Sequence, residues 1–214
     1  SLVIIGGGFG GATAALSLRA LMPDASITLV EPHEAHFACP FSNLVLTSHR
    51  DLSQQAFNYS AIRQAGIEVI HDIALEIDPI ARMTKLKKGL LLSYDRLVLS
   101  PGVDFRWNAI EGYNETATDL MPHAWKAGPQ TIRLRNQLRG MEDGGLVVMS
   151  VPAAPYRCPP GPYERASLIA HYLKTEKPRS KLLVLDAKNS FSKQALFQKA
   201  WAEHYPDHLE WRSA

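Results

Sequence analysis

Short apolar runs alternate along the chain with longer segments in which apolar residues recur at helical spacing. Leu2–Ile5 is a run rich in β-branched residues, which predicts a buried parallel strand. A glycine-rich turn follows, and the alanine-rich segment from Ala12 to about Leu21 predicts a helix. Residues 26–31 predict a second strand, and residues 67–89 predict a strand that leads into short antiparallel strands. The chain is therefore expected to begin with a strand–helix–strand unit.

The second half of the chain repeats this order of elements. Residues 144–152 predict a strand after a glycine-rich turn, and apolar side chains recur at helical spacing within residues 165–177. A strand over residues 181–188 and a helix around Gln194–His204 complete a second βαβ unit. The last residues, HLEWRSA, resemble the start of another strand.

These elements predict an α/β fold of two Rossmann-like, three-layer domains. The expected domains are residues 1–112 and residues 113–214. The sequence opens with Ser1 rather than Met, which leaves open whether a leader was removed or the chain was trimmed. We expect residues beyond 214 to complete the first domain.

The segment GGGFGG joins the first strand to the first helix and fits the dinucleotide fingerprint G-x-G-x-x-G. Gly6 permits the tight turn, Gly8 lets the backbone approach a pyrophosphate, and Gly11 lets the helix pack on the strand. Glu31 ends the second strand, twenty residues beyond Gly11, where an acid accepts hydrogen bonds from an adenosine ribose. The strand, the helix and the acid together predict a dinucleotide site, and the acid disfavours NADP.

Residues 91–103, LLSYDRLVLSPGV, resemble a strand-and-turn segment of FAD oxidoreductases that have two dinucleotide-binding domains. In that family the strand returns to the FAD sheet, and its glycine turn passes near the cofactor. The resemblance implies that Ser100 and Gly102 lie at the cofactor, although Ser-Pro-Gly stands here in place of Ala-Thr-Gly. FAD is therefore favoured over NAD as the cofactor of the first site.

The second strand-to-helix turn has no glycine fingerprint and reads YRCPPGPYE, residues 156–164. Proline fixes φ and donates no N–H group, so this turn is unsuited to cradling a pyrophosphate. We therefore expect no NAD(P)H at the second domain. Cys158 lies just before the expected helix, whose positive N-terminal end favours a thiolate. From the residues alone, a buried and inert cysteine remains the alternative.

Composition and charge exclude several classes of protein. The net charge is +2, and no basic run is longer than Lys87-Lys88, which gives no support to nucleic-acid binding. No apolar stretch approaches the roughly 20 residues that span a bilayer. The two cysteines and eight histidines show no metal-ligand spacing, so we predict no metal site.

Residues 123–131, 151–174 and 191–201 resemble the flavoprotein subunit of flavocytochrome c sulfide dehydrogenase, and the sulfide:quinone oxidoreductases are its relatives. The resemblance implies that Cys158 is half of a redox-active disulfide beside the flavin, which sulfide attacks. The partner cysteine lies in the C-terminal half of that family's chain, and no third cysteine exists here. The resemblance further implies a c-type cytochrome partner that carries haem c, a periplasmic location, and inactivity of these residues alone.

The same resemblance implies a covalent thioether between Cys39 and the flavin 8α-methyl group, although Pro40 departs from the family pattern. A free thiol or a Cys39–Cys158 disulfide is the alternative. The nearby His33 and His36 are expected to be solvated loop histidines. Glu164 has two interpretations: it complements the helix dipole, or it is a base that accepts a proton from sulfide.

Two rival functions remain at this point. A sulfide:quinone oxidoreductase would deliver electrons to a membrane quinone through an amphipathic anchor. A non-catalytic flavin-binding subunit would only relay electrons. His123 and Trp125 match the family but are expected to be packing residues.

Overall fold

The computed structural model describes residues 1–214, which form two compact units. The N-terminal unit contains Ser1–Phe37 and Ala56–Tyr113, and the C-terminal unit contains Ala38–Gln55 and Asn114–Ala214. Residues 38–55, expected from the sequence to lie in the first domain, therefore pack with the second unit. Cys39 belongs to this segment, so it shares a unit with Cys158.

The strands and helices predicted from the sequence occur in the expected order, with further elements between them. In chain order they are β1 (Leu2–Ile5), α1 (Phe9–Leu21), β2 (Ile27–Val30), β3 (Ala35–Phe37), α2 (Asn43–Leu46), β4 (Ala56–Asn58), α3 (Ser60–Gln64), β5 (Glu68–Ile70), β6 (Ala74–Asp78), β7 (Met83–Leu86), β8 (Leu91–Ser93), β9 (Arg96–Leu99), α4 (Pro129–Gly140), β10 (Leu146–Val151), α5 (Gly161–Glu176), β11 (Lys181–Asp186), α6 (Gln194–His204) and β12 (Leu209–Arg212). Two short 3₁₀ helices lie at Leu52–Gln55 and Thr116–Asp119.

The N-terminal unit is built on a parallel sheet with strand order β5-β2-β1-β9. All four residues of β1 are buried because both faces of the sheet are covered. Alternate residues of a strand point to opposite faces. Leu2 and Ile4 accordingly pack with Ala15 of α1, whereas Val3 and Ile5 pack with residues of the antiparallel sheet β6-β7-β8.

The C-terminal unit is built on a parallel sheet with strand order β10-β11-β12. α5 follows β10 and α6 follows β11, so the unit has βαβαβ order. Its core joins apolar residues of α5 and β11 with Trp201 of α6. Tyr163, in the first turn of α5, is fully buried and stacks on Phe191 with ring centroids 3.6 Å apart. The Rossmann-like parallel elements predicted from the sequence are thus confirmed.

The boundaries of the helices and strands agree with the sequence predictions in some places and differ in others. The helix Gln194–His204 and the strand near the C-terminal end are confirmed. α1 begins at Phe9, three residues earlier than expected, and Gly10 and Gly11 are therefore already helical. α5 begins at Gly161, three residues after Cys158, so about half of the proline-rich turn is helix. None of the helices has the length and apolar composition that crossing a lipid bilayer requires.

Candidate functional site

Two glycines of the fingerprint turn are held against backbone. Gly6 has φ +97°, and a Cβ there would lie 2.0 Å from the carbonyl oxygen of Ser100. A Cβ on Gly11 would lie 1.7 Å from the carbonyl oxygen of Gly6. Only glycine fits either position, because real Cβ atoms do not approach other atoms so closely. The turn therefore has the construction that was assigned to Gly6 and Gly11 from the sequence.

Gly8 has a different environment from these two glycines. A Cβ there would meet nothing closer than His36 Cε1, at 3.5 Å. Gly8 is also the N-cap of α1, and no side chain caps the helix there. The first amides of α1 are thus available to an anion, and the open Cβ position leaves space for it. This cradle fits the pyrophosphate of a dinucleotide.

Glu31 reaches back to the same turn. Its Oε2 accepts a hydrogen bond from the Gly7 amide at 2.8 Å, and its Oε1 accepts one from the His33 amide at 3.0 Å. Burial raises the pKa of Glu31, but these hydrogen bonds outweigh it and hold the pKa below its ordinary value. Glu31 is therefore a carboxylate at neutral pH, at the end of β2 where a ribose acceptor is expected.

Tyr59 is a part of this site that the sequence pattern did not reveal. Its hydroxyl donates to the carbonyl oxygen of Gly7 at 3.1 Å, and its ring fills the space beside that glycine. Burial, with the charge of Glu31 as a second cause, raises the pKa of Tyr59 to about 12. A neutral tyrosine thus packs against the glycine turn and hydrogen-bonds to it. A lone tyrosine at the end of a short strand gives no local signal of this contact.

His36 is not the solvated loop histidine expected from the sequence. It lies on β3, and its ring packs edge-on against Phe9 with centroids 5.4 Å apart. Its Nε2 is buried and has no hydrogen-bond partner in the chain. A buried polar atom without a partner is unusual and fits a site that a ligand completes. His33, by contrast, is exposed and bonds to Glu31.

Ser100 and Gly102 follow β9, next to the fingerprint turn in the same sheet. The Ser100 amide donates to Ile5 at 2.8 Å, and the Ser100 carbonyl lies against Gly6. Gly102 has φ +77° with open space around its Cβ position. Ser100 thus buttresses the glycine turn, while Gly102 lies in an open turn two residues further on.

Cys158 occupies a constrained position before α5. Its φ is +62°, in the left-handed region, and its carbonyl accepts a hydrogen bond from Gly161 at 2.9 Å. Pro162 lies in the first turn of the helix, as expected from the sequence. The residue is exposed and its thiol is free. The local structure presents an accessible sulfur near the positive end of α5.

Trp125 connects Cys158 to Cys39. A Cβ on Gly161 would meet the Trp125 ring edge at 2.7 Å and Cys158 Sγ at 3.2 Å, so the ring edge and the sulfur are neighbours. At its other end, the Trp125 carbonyl lies 3.9 Å from Cys39 Sγ, which donates a weak hydrogen bond. The two thiols, distant in sequence, thus lie near opposite ends of one residue. This exceeds the packing role expected for Trp125.

Arg165 packs against Trp125, and the sequence pattern did not identify it as a site residue. It is only 7% exposed, and its guanidinium stands 5.4 Å from the ring centroid of Trp125. Burial lowers the pKa of Arg165 to about 10, although the negative form of Cys39 acts in the opposite direction. The side chain is therefore a buried cation at neutral pH.

Glu164 projects from the first turn of α5 into solvent. Its backbone amide bonds to Pro160, and its carboxylate has no hydrogen-bond partner in the chain. Both interpretations of this residue therefore stay open, since an exposed acid can complement the helix dipole or accept a proton.

Asp186 ends β11, where a Rossmann domain places its ribose-binding acid. Here the carboxylate is buried and already used: Oδ2 accepts from Tyr163 at 2.6 Å and Oδ1 from the Lys188 ammonium at 2.5 Å. Trp211 also donates to Oδ2, at 3.1 Å. Burial raises the pKa of Asp186, but these donors outweigh it and lower the pKa below its ordinary value. The acid at the ribose-binding position of the C-terminal unit is thus already hydrogen-bonded to side chains of the same unit.

Nowhere in the structure do three or more His, Cys, Asp or Glu side chains come together as a metal site would require.

Comparison with known proteins agrees with the two-part geometry. Residues 1–129 match the pyridine nucleotide-disulphide oxidoreductase family, and residues 131–214 match the central part of the sulfide dehydrogenase (flavocytochrome c) flavoprotein chain. The flavoprotein chain of this name from Chlorobaculum thiosulfatiphilum is 59% identical over 44 residues, which are 21% of this chain and 92% of that sequence.

Two longer matches extend over most of the chain. The mitochondrial sulfide:quinone oxidoreductase of Mus musculus is 23% identical over 194 residues, which are 86% of this chain and 41% of that enzyme. The crystal structure of the sulfide:quinone oxidoreductase from Aquifex aeolicus superposes with a TM-score of 0.78 at 22% identity, over 99% of this chain and 50% of that chain. This chain therefore spans about two fifths of the mouse enzyme.

The glycine cradle with Glu31, the parallel sheets and these matches agree with one another. The chain belongs to the pyridine nucleotide-disulphide oxidoreductase family of FAD-dependent oxidoreductases, and its residues 131–214 place it with the sulfide dehydrogenase flavoprotein chains within that family.

Proposed function

We propose that the protein oxidises sulfide with FAD as its cofactor and with Cys158 as a redox-active thiol. The observation that carries the proposal is that Trp125 lies near both thiols: its carbonyl accepts from Cys39 Sγ at 3.9 Å, and its ring edge and Cys158 Sγ both flank Gly161. Both thiols are exposed and lie near the same residue. One can therefore attach the cofactor while the other reacts with the substrate. The printed names of the sulfide dehydrogenase and sulfide:quinone oxidoreductase relatives support sulfide as the substrate.

FAD would be held by this chain's own residues in the N-terminal unit. The Gly8 amide and the first amides of α1 would bind the pyrophosphate, since the Gly6 and Gly7 amides already donate to Val30 and Glu31. Glu31 would accept hydrogen bonds from the ribose. His36, through its unpartnered Nε2, would donate to or accept from the bound group. When bound, the flavin supplies the two-electron acceptor that sulfide oxidation requires.

Cys39 is proposed to carry the flavin as a thioether at the 8α-methyl group. Forming this thioether would remove one hydrogen from the Cys39 thiol and one from the methyl group. The bound flavin would accept the two electrons, and dioxygen or another acceptor would restore its oxidised form. Cys158 is proposed to pair with a cysteine outside these 214 residues. Sulfide attacks that disulfide, one sulfur leaves as a thiolate, and the new persulfide retains the sulfide sulfur.

Replacing each cysteine with serine should separate these two tasks. In the whole protein, Cys39→Ser is expected to remove the mass increment of one FAD from the denatured chain, because a hydroxyl does not form the thioether. Cys158→Ser is expected to keep that increment and to reduce bleaching of the flavin by sulfide to background, because the disulfide that sulfide attacks can no longer form. Intact mass and anaerobic absorbance measure both. Retention of the increment in Cys39→Ser, or of bleaching in Cys158→Ser, would contradict the assignment.

Glu164 is proposed as the base that takes the proton of sulfide. Glu164→Gln is then expected to slow flavin reduction by about 100-fold, the lower range for a general base, with a change in unfolding free energy of at most about 1 kcal/mol. Glu176→Gln, in the last turn of the same helix, is the matched control and should leave the rate unchanged. Stopped-flow reduction over a pH series measures the effect. A normal rate with a small loss of stability would leave Glu164 with the dipole role alone.

A c-type cytochrome that carries haem c is proposed as the electron acceptor, in the periplasm, and this rests on the flavocytochrome c relative. Quinone is the second candidate, because the sulfide:quinone oxidoreductases match over most of the chain. Oxidation of the reduced flavin by cytochrome c but not by a soluble quinone would favour the first acceptor.

NAD(P)H is not proposed as a substrate of the C-terminal unit. The first-turn prolines of α5 donate no amide to a pyrophosphate, and Asp186 is already bound by Tyr163 and Lys188. A nucleotide would have to displace these buried partners.

A further inference from the structure

Arg165 is a buried cation without an anionic partner. Its three donor groups bond to Asn43 Oδ1 at 3.1 Å, to the His123 carbonyl at 2.7 Å and to the Ala124 carbonyl at 2.5 Å. No carboxylate lies among its partners. Burying a charge is costly unless hydrogen bonds satisfy it, so a buried arginine of this kind usually has a specific task.

The partners of Arg165 belong to the two segments that lead to Cys39 and Trp125. Asn43 begins α2, four residues after Cys39. His123 and Ala124 directly precede Trp125, and Ala124 has φ +45°, a conformation that needs outside support in a residue other than glycine. Arg165 itself lies one helical turn after Gly161, against which the Trp125 ring packs.

One guanidinium thus connects three parts of the chain: the Cys39 segment, the Trp125 segment and the start of α5. Each hydrogen bond uses a different nitrogen of the group, and its central carbon lies over the Trp125 ring, 5.4 Å from the centroid. Lysine could not reproduce this arrangement, because it has no planar fork and concentrates its charge at one nitrogen.

We propose that Arg165 is a positioning residue that fixes Cys39 relative to Trp125 and Cys158, and so sets the geometry in which Cys39 meets its flavin. The inference rests on the proposed function, in which Cys39 carries FAD. Arg165 does not touch the reacting atoms. Its bond to Asn43 holds the Cys39 segment. Its bond to His123 holds the residues before Trp125, whose carbonyl accepts the hydrogen bond of the Cys39 thiol.

The test measures formation of the thioether rather than turnover. The whole protein is produced with limited riboflavin, FAD is added, and growth of the one-FAD mass increment on Cys39 is followed by intact mass and peptide mapping. Arg165→Lys keeps the positive charge but removes the planar guanidinium with its several donors. Asn43→Ala removes only the hydrogen bond between Arg165 and the Cys39 segment. The matched controls are Arg179→Lys, an exposed arginine paired with Asp143, and the exposed asparagine change Asn189→Ala.

Both test variants are expected to bind FAD non-covalently like the parent protein but to form the thioether more slowly. The expected loss is on the order of 100-fold for Arg165→Lys and at least about tenfold for Asn43→Ala, because small misplacements of a reacting group have effects of this size. The controls should match the parent. An unchanged rate in folded Arg165→Lys, or in Asn43→Ala if the arginine variant does not fold, overturns the inference.

A separate readout distinguishes failure of the proposed function from failure of this inference. If the parent protein forms no thioether, the proposed attachment is wrong. The rate at which N-ethylmaleimide modifies free Cys39, relative to Cys158, then tests the positioning role. A changed ratio in Arg165→Lys and Asn43→Ala, with melting temperatures close to those of the controls, supports it. An unchanged ratio rejects it.

Discussion

Gly11→Ala is expected to lower the free energy of unfolding by about 3 kcal/mol, although alanine is the better helix former by about 1 kcal/mol. Gly11 lies in the first turn of α1, and a Cβ there would lie 1.7 Å from the Gly6 carbonyl oxygen. Backbone cannot move aside as a flexible side chain can, so α1 must shift away from β1. The cost of that shift exceeds the gain in helix propensity.

Two other glycines provide matched controls. Gly140→Ala, at the end of α4, meets nothing within 4 Å and should be neutral or slightly stabilising. Gly8→Ala meets only an ordinary contact at 3.5 Å, so the protein should fold, but its methyl group would intrude on the pyrophosphate. FAD affinity should then fall at least about tenfold, or 1.4 kcal/mol.

Urea unfolding of the FAD-free protein and fluorescence titration with FAD measure these effects separately. Normal stability of Gly11→Ala would show that α1 does not pack on the glycine turn as described. Unchanged FAD affinity of a folded Gly8→Ala variant would place the pyrophosphate elsewhere.

Asp186→Asn is the second change for which a large effect is expected, about 3 kcal/mol of unfolding free energy. The Asp186 side chain is fully buried and accepts from Tyr163, Lys188 and Trp211. An amide turns one acceptor oxygen into a donor and leaves the Lys188 ammonium, which is 16% exposed, without its counter-charge. Removing one partner of a buried ion pair typically costs about 3–5 kcal/mol, and some exposure of Lys188 favours the lower end.

Asp119→Asn is the matched control, since Asp119 pairs with Arg133 on the surface, where both side chains are more than two fifths exposed. Such pairs contribute at most about 1 kcal/mol. Denaturant unfolding at neutral pH compares the two variants. Equal losses of stability would show that the Asp186 network does not hold the C-terminal unit together.

The same carboxylate predicts a pH dependence. The pKa of Asp186 is lower in the folded state than its ordinary value, so the unfolded state binds more protons and stability rises with pH through this range. The contribution of Asp186 is complete above the unfolded pKa of about 4 and is lost as the pH falls through the folded pKa. Unfolding curves between about pH 2 and pH 6 should show a shallower slope in Asp186→Asn than in the parent protein.

The sequence by itself determined the elements whose signals are local. The apolar run at β1, the glycine spacing and the acid after β2 predicted the first strand–helix–strand unit, and helical spacing predicted most of α5. These features are readable because periodicity and backbone freedom depend on neighbours along the chain. Cys39, Cys158 and Glu164 were also identified from the sequence, as candidates with residue types suited to sulfur and proton chemistry.

Only the tertiary structure decided how these residues are combined. It placed residues 38–55 with the C-terminal unit, brought both thiols near Trp125, and directed Arg165 at two backbone carbonyls and the side-chain oxygen of Asn43. It also showed Asp186 fully occupied by its own side-chain neighbours. The physical reason is that most of these contacts join segments far apart in sequence. Those of Cys39 with Trp125 and of Arg165 with His123 and Ala124 also use backbone oxygens, which every residue carries and which leave no residue-specific pattern in the sequence.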